Sequence, residues 1–508
     1  MRKLLFLSYF LKLLIYSQHS YGQVATSGND ERYRPKVHFS PKEKWINDPN
    51  GMVYHKGIYH LFFQYHPGSS VWGPMHWGHA TSKDLIHWQR ESIKIFPDSL
   101  GTIFSGSAVF DKNNTSGFGK DKEAPLVAIF TQHSEAGERA GRNDYQNQSL
   151  AYSIDDGNTW VKYAGNPVLK NPGIRDFRDP KVMWHEPTKK WIMTLAVLDR
   201  IHFYSSPDLK TWNKESEFGE SAGAHGGVWE CPDLFSLVYN GKKIWVLIVN
   251  LNPGGPNKGS STQYFLGDFN GKVFSPYNTK TKWLDFGPDD YAGVTWSNTG
   301  ERKIFLGWMS NWMYANVVPT ETWRNAMTIP RELKIRKVGN EMLVASSIVN
   351  ELEASISRSV IAVNIDLSKP FEVAAKAGGT KFPCLLKLSS DIQKDFSIII
   401  SNDLNEKIMI GFDKVRNQYF IDRTNSGKTS FHEQFGVKHI APRLINTSKM
   451  NVSLLIDVSS VELFADNGLT VMTEIFFPSK SYTKIQIEST DGAVIRKLEY
   501  ASLESIWE

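Results

Sequence analysis

The chain has 508 residues and a formal net charge of +5, with no obvious basic stripe. A weak, dispersed positive charge argues against nucleic acid as the main partner. Its two cysteines, Cys231 and Cys384, are too few and too far apart for a disulfide-stapled scaffold. The 16 Trp and 19 Tyr residues suit sugar rings as well as a packed core.

The N-terminus is predicted to be a secretory signal peptide over residues 1–22. Arg2 and Lys3 precede an apolar stretch that only Lys12 interrupts, and the small residues Ser20 and Gly22 lie near the expected cleavage site. The stretch is too short and too interrupted to cross a bilayer, and no later apolar run is long enough. The sequence therefore predicts a secreted or periplasmic protein without a membrane span.

A short motif recurs in the first half of the chain. SKDLIHW at 82–88 returns as SPDLKTW at 206–212, and SIDDGNTW at 153–160 is a relative that is one residue longer. Each copy opens on Ser and closes on Trp around an acidic turn. The first and third copies lie 124 positions apart, which suggests two units of about 60 residues. That period is typical of four-stranded propeller blades, and the scarcity of helical periodicity argues against a helical solenoid.

A second pattern places an acidic residue and a nearby proline ahead of a predicted hairpin. It begins at Asp48 (DPNGMVYHKGIYHLFFQY), Asp179 (DPKVMWHEPTKKWIMTLA) and Glu230 (ECPDLFSLVYNGKKIWVLIV). Asp-Pro and Asn-Gly are common turn dipeptides, so WINDPNG at 45–51 alone is compatible with a simple turn. The three acids, however, occupy equivalent places in three units. If the first strand of each blade lines the central channel, they converge on one mouth of it.

Three convergent carboxylates can hold a hard metal ion or perform acid and base chemistry on an acetal. A calcium site normally adds Asp or Asn ligands at close spacing, whereas each of these acids stands almost alone. We therefore expect no metal and no other cofactor. Glu230 has the most apolar sequence neighbours and is the candidate for a raised pKa, as a proton donor requires. Arg178 is expected to keep Asp179 ionised.

These segments resemble the signature blocks of glycoside hydrolase family 32, the fructan hydrolases and invertases. WINDPNG (45–51), FRDP (177–180) and WECPD (229–233) carry the resemblance. It extends through WGPMHWGHA (72–80), FSGSAVFD (104–111), GWMSNWMYA (307–315), WRNAMTIPREL (323–333) and VSSVELFADNG (458–468). The blocks together cover nearly all of the mature chain, and their joint order makes the resemblance specific.

The resemblance implies an all-β fold, with a five-bladed β-propeller over residues 33–335 and a C-terminal β-sandwich over residues 350–507. The sequence is consistent with this division. After WRNAMTIPREL, Trp residues become rare and short alternating strands such as FSIIIS and KIMIGF follow. The sandwich carries no comparable group of acids. VSSVELFADNG is interpreted as a structural hairpin, with contact to long substrates or a partner subunit as the alternative.

The resemblance also implies roles for the three acids. Asp48 corresponds to the nucleophile, Glu230 to the general acid and base, and Asp179 to the group that stabilises the transition state. The implied reaction is retaining and passes through a covalent fructosyl-enzyme. By the same similarity, the terminal fructose contacts seven further side chains: Asn47, Gln64, Trp72, Phe104, Ser105, Arg178 and Trp312.

The expected function is that of a β-fructofuranosidase that releases terminal fructose from levan, inulin and sucrose. Alternatives on the same scaffold are an endo-acting fructanase and a fructosyltransferase. More distant ones are an inverting arabinan or xylan hydrolase and a sugar-binding propeller without catalysis. An acid and base more than about 6.5 Å apart would favour the inverting enzymes. The sequence leaves the oligomeric state open, a homodimer included.

Overall fold

A computed structural model describes residues 31–120, 123–375, 378–390 and 394–507. The predicted signal peptide at residues 1–22 lies outside the described residues. Within the described ranges, the one α-helix is α1 (Glu135–Arg139), and a 3-10 helix spans Asn350–Ser355. No helix in this part of the chain is long and apolar enough to cross a membrane.

Three sheets, each built on four consecutive antiparallel strands, come first along the chain. The first contains β1 (Lys44–His55), β2 (Ile58–His66), β3 (His76–Ser82) and β4 (Trp88–Ile95). The second contains β5 (Thr102–Phe110), β6 (Leu126–His133), β7 (Gln146–Ser153) and β8 (Val161–Lys162). The third contains β9 (Phe177–His185), β10 (Lys190–Val197), β11 (Arg200–Ser206) and β12 (Asn213–Phe218).

Two further sheets complete the first part of the chain. The fourth contains β13 (Val228–Tyr239), β14 (Lys242–Asn252), β15 (Ser261–Phe269), β16 (Phe274–Pro276) and β17 (Lys282–Trp283). The fifth contains β18 (Tyr291–Thr295), β19 (Ile304–Met309), β21 (Ala326–Met327), β22 (Arg331–Val338) and β23 (Glu341–Ile348), whereas β20 (Trp323–Arg324) pairs in parallel with β1. The fifth sheet thus extends past the predicted limit of 335, because β22 and β23 form a hairpin.

The first strands of these sheets form a closed ring. β1 contacts β5, β5 contacts β9, β9 contacts β13, β13 contacts β18, and β18 returns to β1. This is the arrangement of a β-propeller, as predicted, with a channel along its axis. The three copies of the Ser-to-Trp motif lie between the third and fourth strands of the first three sheets. In two of them Asp84 and Asp208 accept two backbone N–H groups each, which closes the turn.

The rest of the described chain forms a β-sandwich. Its strands are β24 (Ile356–Asp366), β25 (Phe371–Glu372), β26 (Cys384–Ser390), β27 (Phe396–Ser401), β28 (Lys407–Asp413), β29 (Gln418–Asp422), β30 (Lys438–Pro442), β31 (Met450–Ile456), β32 (Ser460–Ala465), β33 (Thr470–Ile475), β34 (Lys484–Glu488) and β35 (Val494–Leu503). One sheet has the order β24-β35-β26-β31-β32-β33, the other β25-β34-β27-β28-β29-β30. Leu386, Leu454, Ile398 and Ile410 contribute to the core that both sheets share.

Buried ion pairs join the propeller to the sandwich. Arg331, at the start of β22, lies 2.9 Å from Asp285 and 2.9 Å from Asp290. The same guanidinium donates to Glu462 of β32, so VSSVELFADNG is a buried structural hairpin of the interface. Removing one partner of a buried ion pair typically costs about 3–5 kcal/mol. These contacts therefore fix how the sandwich sits on the propeller.

Candidate active site

The first strand of each propeller sheet meets its neighbour irregularly near the channel mouth. The register shifts lie at Ile46/Pro49 in β1, Ile103/Gly106 in β5, Thr194/Ala196 opposite β9, Glu230/Asp233 in β13 and Tyr291/Val294 in β18. Three residues at these irregularities have positive φ: Asp179 (65°), Cys231 (41°) and Ala292 (54°). Such bulges re-aim side chains and are common beside active sites. They turn the site residues towards the axis.

The register corrects the predicted equivalence of the three acids. Asp179 and Cys231 occupy the same place in β9 and β13, each between the last paired residue and a proline. Glu230 therefore corresponds to Arg178, not to Asp179, and Tyr291 takes this place in β18. The sequence pattern accepted a proline either one or two positions after the acid. It therefore did not reveal that Glu230 is offset by one residue from Asp179.

Of these three equivalent residues, Arg178 and Tyr291 both contact Glu230 across neighbouring blades. Arg178 Nη2 donates to Glu230 Oε1 at 3.0 Å, and the Tyr291 hydroxyl donates to Glu230 Oε2. The expectation that Glu230 has apolar surroundings is therefore wrong. Its neighbour Trp229 is fully buried in a separate cluster, because successive side chains of a strand point to opposite faces.

Asp48 is held by donors on both carboxylate oxygens. Asn47 Nδ2 donates to Oδ1 at 2.9 Å, and Ser105 Oγ donates to Oδ2 at 2.5 Å. Trp45 Nε1 donates to Asn47 Oδ1 at 2.8 Å, which fixes the orientation of the amide. Burial raises the pKa of Asp48, the hydrogen bond from Ser105 opposes this, and the charge of Glu230 adds to it. The carboxylate is thus oriented but incompletely compensated.

Asp179 is anchored by hydrogen bonds to two neighbouring blades. Its Oδ2 accepts the backbone N–H of Cys231 at 3.0 Å, and its own N–H donates to Thr131 Oγ1 at 3.0 Å. Burial raises the pKa of Asp179 to about 7; Arg178 opposes this, and the charges of Glu230 and Asp48 add to it. Arg178 Nε lies 4.0 Å from Asp179 Oδ2 and its charge favours the ionised form, but burial has the larger effect on the pKa. That Arg178 keeps Asp179 ionised stays a prediction.

Cys231 lies between two of the acids. Its Sγ is 3.5 Å from Asp48 Oδ2 and 3.7 Å from Asp179 Oδ2. Burial raises the pKa of this thiol well above its usual value, and the neighbouring carboxylates add to the effect. Cys231 is therefore a neutral thiol that can donate weakly to both acids, and it is not suited to act as a nucleophile.

All ten predicted site residues line one cavity of about 300 Å³ at the channel mouth: Asn47, Asp48, Gln64, Trp72, Phe104, Ser105, Arg178, Asp179, Glu230 and Trp312. Six lining residues were not predicted: His133, Glu138, Tyr145, Gln146, Arg175 and Asp176. The sequence pattern required an acid with proline before a hairpin, and none of the six meets it. Tyr291 could have been found by aligning YAGVT of the fifth sheet with the first strands of the third and fourth.

Aromatic rings form much of the cavity wall. Phe104 stacks on His133 with ring centroids 4.3 Å apart, and Trp72 meets Phe104 edge-on at 6.3 Å. Trp312 stacks on Trp45 at 6.0 Å. Trp72 is 45% exposed and forms the rim. Aromatic faces beside convergent carboxylates, amides and a guanidinium can bind a sugar and carry out acid and base chemistry on it.

The histidines that follow WINDPNG in the sequence are not arranged as metal ligands. Across the described ranges, no group of three or more His, Cys, Asp or Glu side chains is arranged to hold a metal ion. His79 is buried against His60 and Phe62, and burial lowers its pKa well below the usual value.

Two family profiles cover nearly the whole described chain. Residues 38–346 match the N-terminal domain of glycosyl hydrolases family 32, and residues 344–506 match the C-terminal domain of the same family. A levanase of Bacillus subtilis (strain 168) is 45% identical over 97% of this chain and 74% of its own length. An extracellular exo-inulinase of Aspergillus niger is 39% identical over 94% of this chain and 96% of its own.

Solved structures agree with the sequence matches. An exo-inulinase from Aspergillus awamori superimposes with a TM-score of 0.85 at 36% identity, over 94% of this chain and 100% of that one. A β-fructofuranosidase from Schwanniomyces occidentalis, solved with fructosyl-erythritol, gives a TM-score of 0.85 at 32% identity, over 94% and 99%. The chain therefore belongs to glycosyl hydrolase family 32.

Proposed function

We propose that the protein is a secreted, retaining β-fructofuranosidase that releases terminal fructose from β-linked fructans and from sucrose. The observation that carries the proposal is the convergence of Asp48, Asp179 and Glu230 in one cavity with aromatic, amide and guanidinium side chains. Relatives named levanase and exo-inulinase support fructans as substrates over arabinan or xylan. The leader pattern at residues 1–22 and the relatives named extracellular support export.

In the proposed mechanism, Asp48 is the nucleophile. Its carboxylate attacks the anomeric carbon of the terminal fructose and forms a covalent fructosyl-enzyme. Glu230 donates a proton to the leaving oxygen in this step and removes a proton from water in the next. Asn47 and Ser105 aim Asp48.

Asp179 is proposed to stabilise the transition state. Positive charge develops on the fructosyl ring as the bond breaks, and a buried carboxylate beside the ring favours that charge strongly in a dry site. Burial raises the pKa of Asp179, and a cationic ring beside this carboxyl group would favour its ionised form. Catalysis is proposed to reside in residues 33–335, and the sandwich at residues 350–507 supports them.

The cavity favours action at chain ends. A volume of about 300 Å³ is at the lower limit of ligand pockets and suits one or two sugar rings. Trp72, Phe104 and Trp312 surround the space that a terminal fructose would fill. Sucrose is included among the substrates because its fructosyl half is the same group.

Product analysis tests the proposal. Purified protein is incubated with levan, inulin and sucrose, and early products are separated by chromatography. We expect free fructose first from both fructans, and fructose with glucose from sucrose. Fructan oligosaccharides of intermediate length would indicate an endo-acting enzyme instead, and fructosylated sucrose would indicate a transferase. Absence of any reaction with all three substrates would contradict the proposal.

A further inference from the structure

The segment 310–317 carries two supports of the sugar-binding wall. Trp312 lines the cavity, and Asn316 Oδ1 accepts the backbone N–H of Trp72 at 2.9 Å. The segment is a tight turn in which the N–H groups of Tyr314 and Ala315 donate to the carbonyl of Asn311 at 3.1 and 2.9 Å. The position of this turn therefore sets the position of two aromatic rings of the wall.

The turn is anchored to the sandwich through Tyr314. The Tyr314 hydroxyl donates to Asp289 Oδ1 at 2.6 Å and accepts from Arg423 Nη2 at 2.9 Å. Arg423 Nη1 donates to Asp289 Oδ2 at 2.7 Å. Arg423 directly follows β29 of the sandwich, whereas Asp289 lies before β18 of the propeller. We call Tyr314, Asp289 and Arg423 the interface triad.

Arg423 has little freedom to move. It is completely buried, its guanidinium lies 4.0 Å from the centroid of the Phe435 ring, and it donates to the backbone carbonyls of Phe435 and Ile475. Glu474 lies 3.2 Å from Nη1. A buried guanidinium with its donors satisfied is a rigid support.

The anchored turn is continuous with the nucleophile. Trp312 stacks on Trp45 at 6.0 Å with an interplanar angle of 28°. Trp45 Nε1 donates to Asn47, and Asn47 Nδ2 donates to Asp48. Close packing transmits a shift of one ring to the next, since interiors have few voids to absorb it.

We propose that Tyr314 and Arg423 are positioning residues for substrate binding, through which the sandwich holds Trp312 and Trp72 against the terminal fructose. The inference rests on the proposed function and extends it to a domain whose residues do not line the cavity. Neither residue touches the sugar in this account. Their effect reaches it through Trp312 and the rim at Trp72.

The sandwich supplies a matched control for the interface triad. Tyr419 donates to Asp466 Oδ2 at 2.9 Å, and Arg443 Nε donates to the same oxygen at 2.9 Å. This group is also buried, with the same three residue types, and none of its members lines the active-site cavity. Loss of the tyrosine hydroxyl leaves a buried carboxylate short of one donor in both groups.

The test compares Tyr314→Phe with Tyr419→Phe on sucrose, at a temperature at which circular dichroism shows both variants folded. We expect a comparable fall in Tm for both. Only Tyr314→Phe should raise KM, by about three- to tenfold, with kcat within about twofold of wild type, since ground-state binding is lost. In a cycle with Trp312→Ala, the two increases in KM should be non-additive, because Tyr314 acts through Trp312.

An unchanged KM in folded Tyr314→Phe would overturn the inference, and so would an equal rise in Tyr419→Phe or full additivity with Trp312→Ala. If Tyr314→Phe does not fold, Asp289→Asn, which keeps the residue volume, is measured with Asp466→Asn as its control and decides by the same criteria. A wild-type protein without activity on sucrose and fructans would instead contradict the proposed function.

Discussion

Two buried groups of acids in this molecule are compensated very differently. At the domain interface His38 bridges Asp457 and Glu462, with both of its ring nitrogens 2.8 Å from a carboxylate oxygen. Burial works against charge there, but the hydrogen bonds raise the pKa of His38 to about 9, and those of the two acids are lowered. We call these three residues the His38 cluster.

At the channel mouth the acids are compensated less completely. Arg178 donates to Glu230 and Asp176. Burial raises the pKa values of Asp48 and Asp179, and the neighbouring acids add to this. Not every acid at the interface is compensated in this way, since burial raises the pKa of Asp290 nearby. The compensated acids at the interface stabilise the contact between the two domains. The incompletely compensated acids at the channel mouth are available for chemistry.

The largest expected effect is on activity at the channel mouth. Asp48→Asn removes the proposed nucleophile and should lower kcat by about 10⁴-fold or more, because no covalent intermediate can form. The Tm should not fall, since the neutral amide no longer carries a poorly compensated charge. Initial rates on sucrose and a thermal scan check this. Asp84→Asn, in a turn of the first sheet, is the control and should retain activity.

Considerable residual activity in pure Asp48→Asn would remove Asp48 from the mechanism. Contamination by wild-type protein would show an unchanged KM and a small fraction of titratable active sites, so the variant is also titrated with a covalent inhibitor of the wild type.

The second prediction concerns the stability of the His38 cluster. Asp457→Asn leaves His38 with one carboxylate and weakens the acceptor for the N–H groups of Lys36 and Val37. We expect the free energy of unfolding to fall by about 3–5 kcal/mol, with kcat unchanged where the variant is folded. Denaturant unfolding measures the loss. Asp403→Asn, at an exposed pair with Lys480, should leave the Tm unchanged, and an equal loss in both would contradict the account.

The third prediction is a gain in stability at the active site. The pKa of Asp179 is raised from 3.8 to about 7, so wild type loses stability as pH rises from about 4 through 7. Asp179→Asn should be more stable than wild type by on the order of 4 kcal/mol at pH 8 and by nearly nothing at pH 4. Its kcat should fall strongly. A difference in Tm that does not change between these pH values would contradict the raised pKa.

The smallest effect is expected from the titration of His38. Its pKa is raised from 6.5 to about 9, so the stabilisation is fully present below pH 6.5 and is lost as pH rises through 9. The wild-type Tm should decline between pH 7 and 10, and His38→Gln should decline less over that range. Parallel declines in both proteins would show that His38 is not responsible.

The sequence predicted the fold class and ten of the residues that line the cavity, because ordered motifs report both. WINDPNG, FRDP and WECPD placed Asp48, Asp179 and Glu230 in one cavity. It did not predict which side chain compensates which acid. Arg178 and Glu230 are 52 positions apart, and Tyr291 and Glu230 are 61. Such contacts depend on how the propeller sheets close into a ring and on one-residue bulges. Neither can be predicted from residues that are adjacent in the sequence.

The same limit applies to the domain interface. Arg423 and Asp289 are 134 positions apart, and neither belongs to a motif that sequence analysis could single out. The chemical roles of Asp48, Asp179 and Glu230 stay predictions, because geometry places the acids together but does not show which of them reacts.

The most direct test of these roles is to trap the intermediate. Glu230→Ala is mixed with a fructoside that has a good leaving group, the reaction is quenched with acid, and peptic peptides are analysed by mass spectrometry. Without Glu230 to activate water, the second step is slowed and the covalent fructosyl-enzyme accumulates. The account predicts one added fructosyl group on the peptide that contains Asp48. Adduct on another peptide, or turnover that inverts the anomeric configuration, would contradict it.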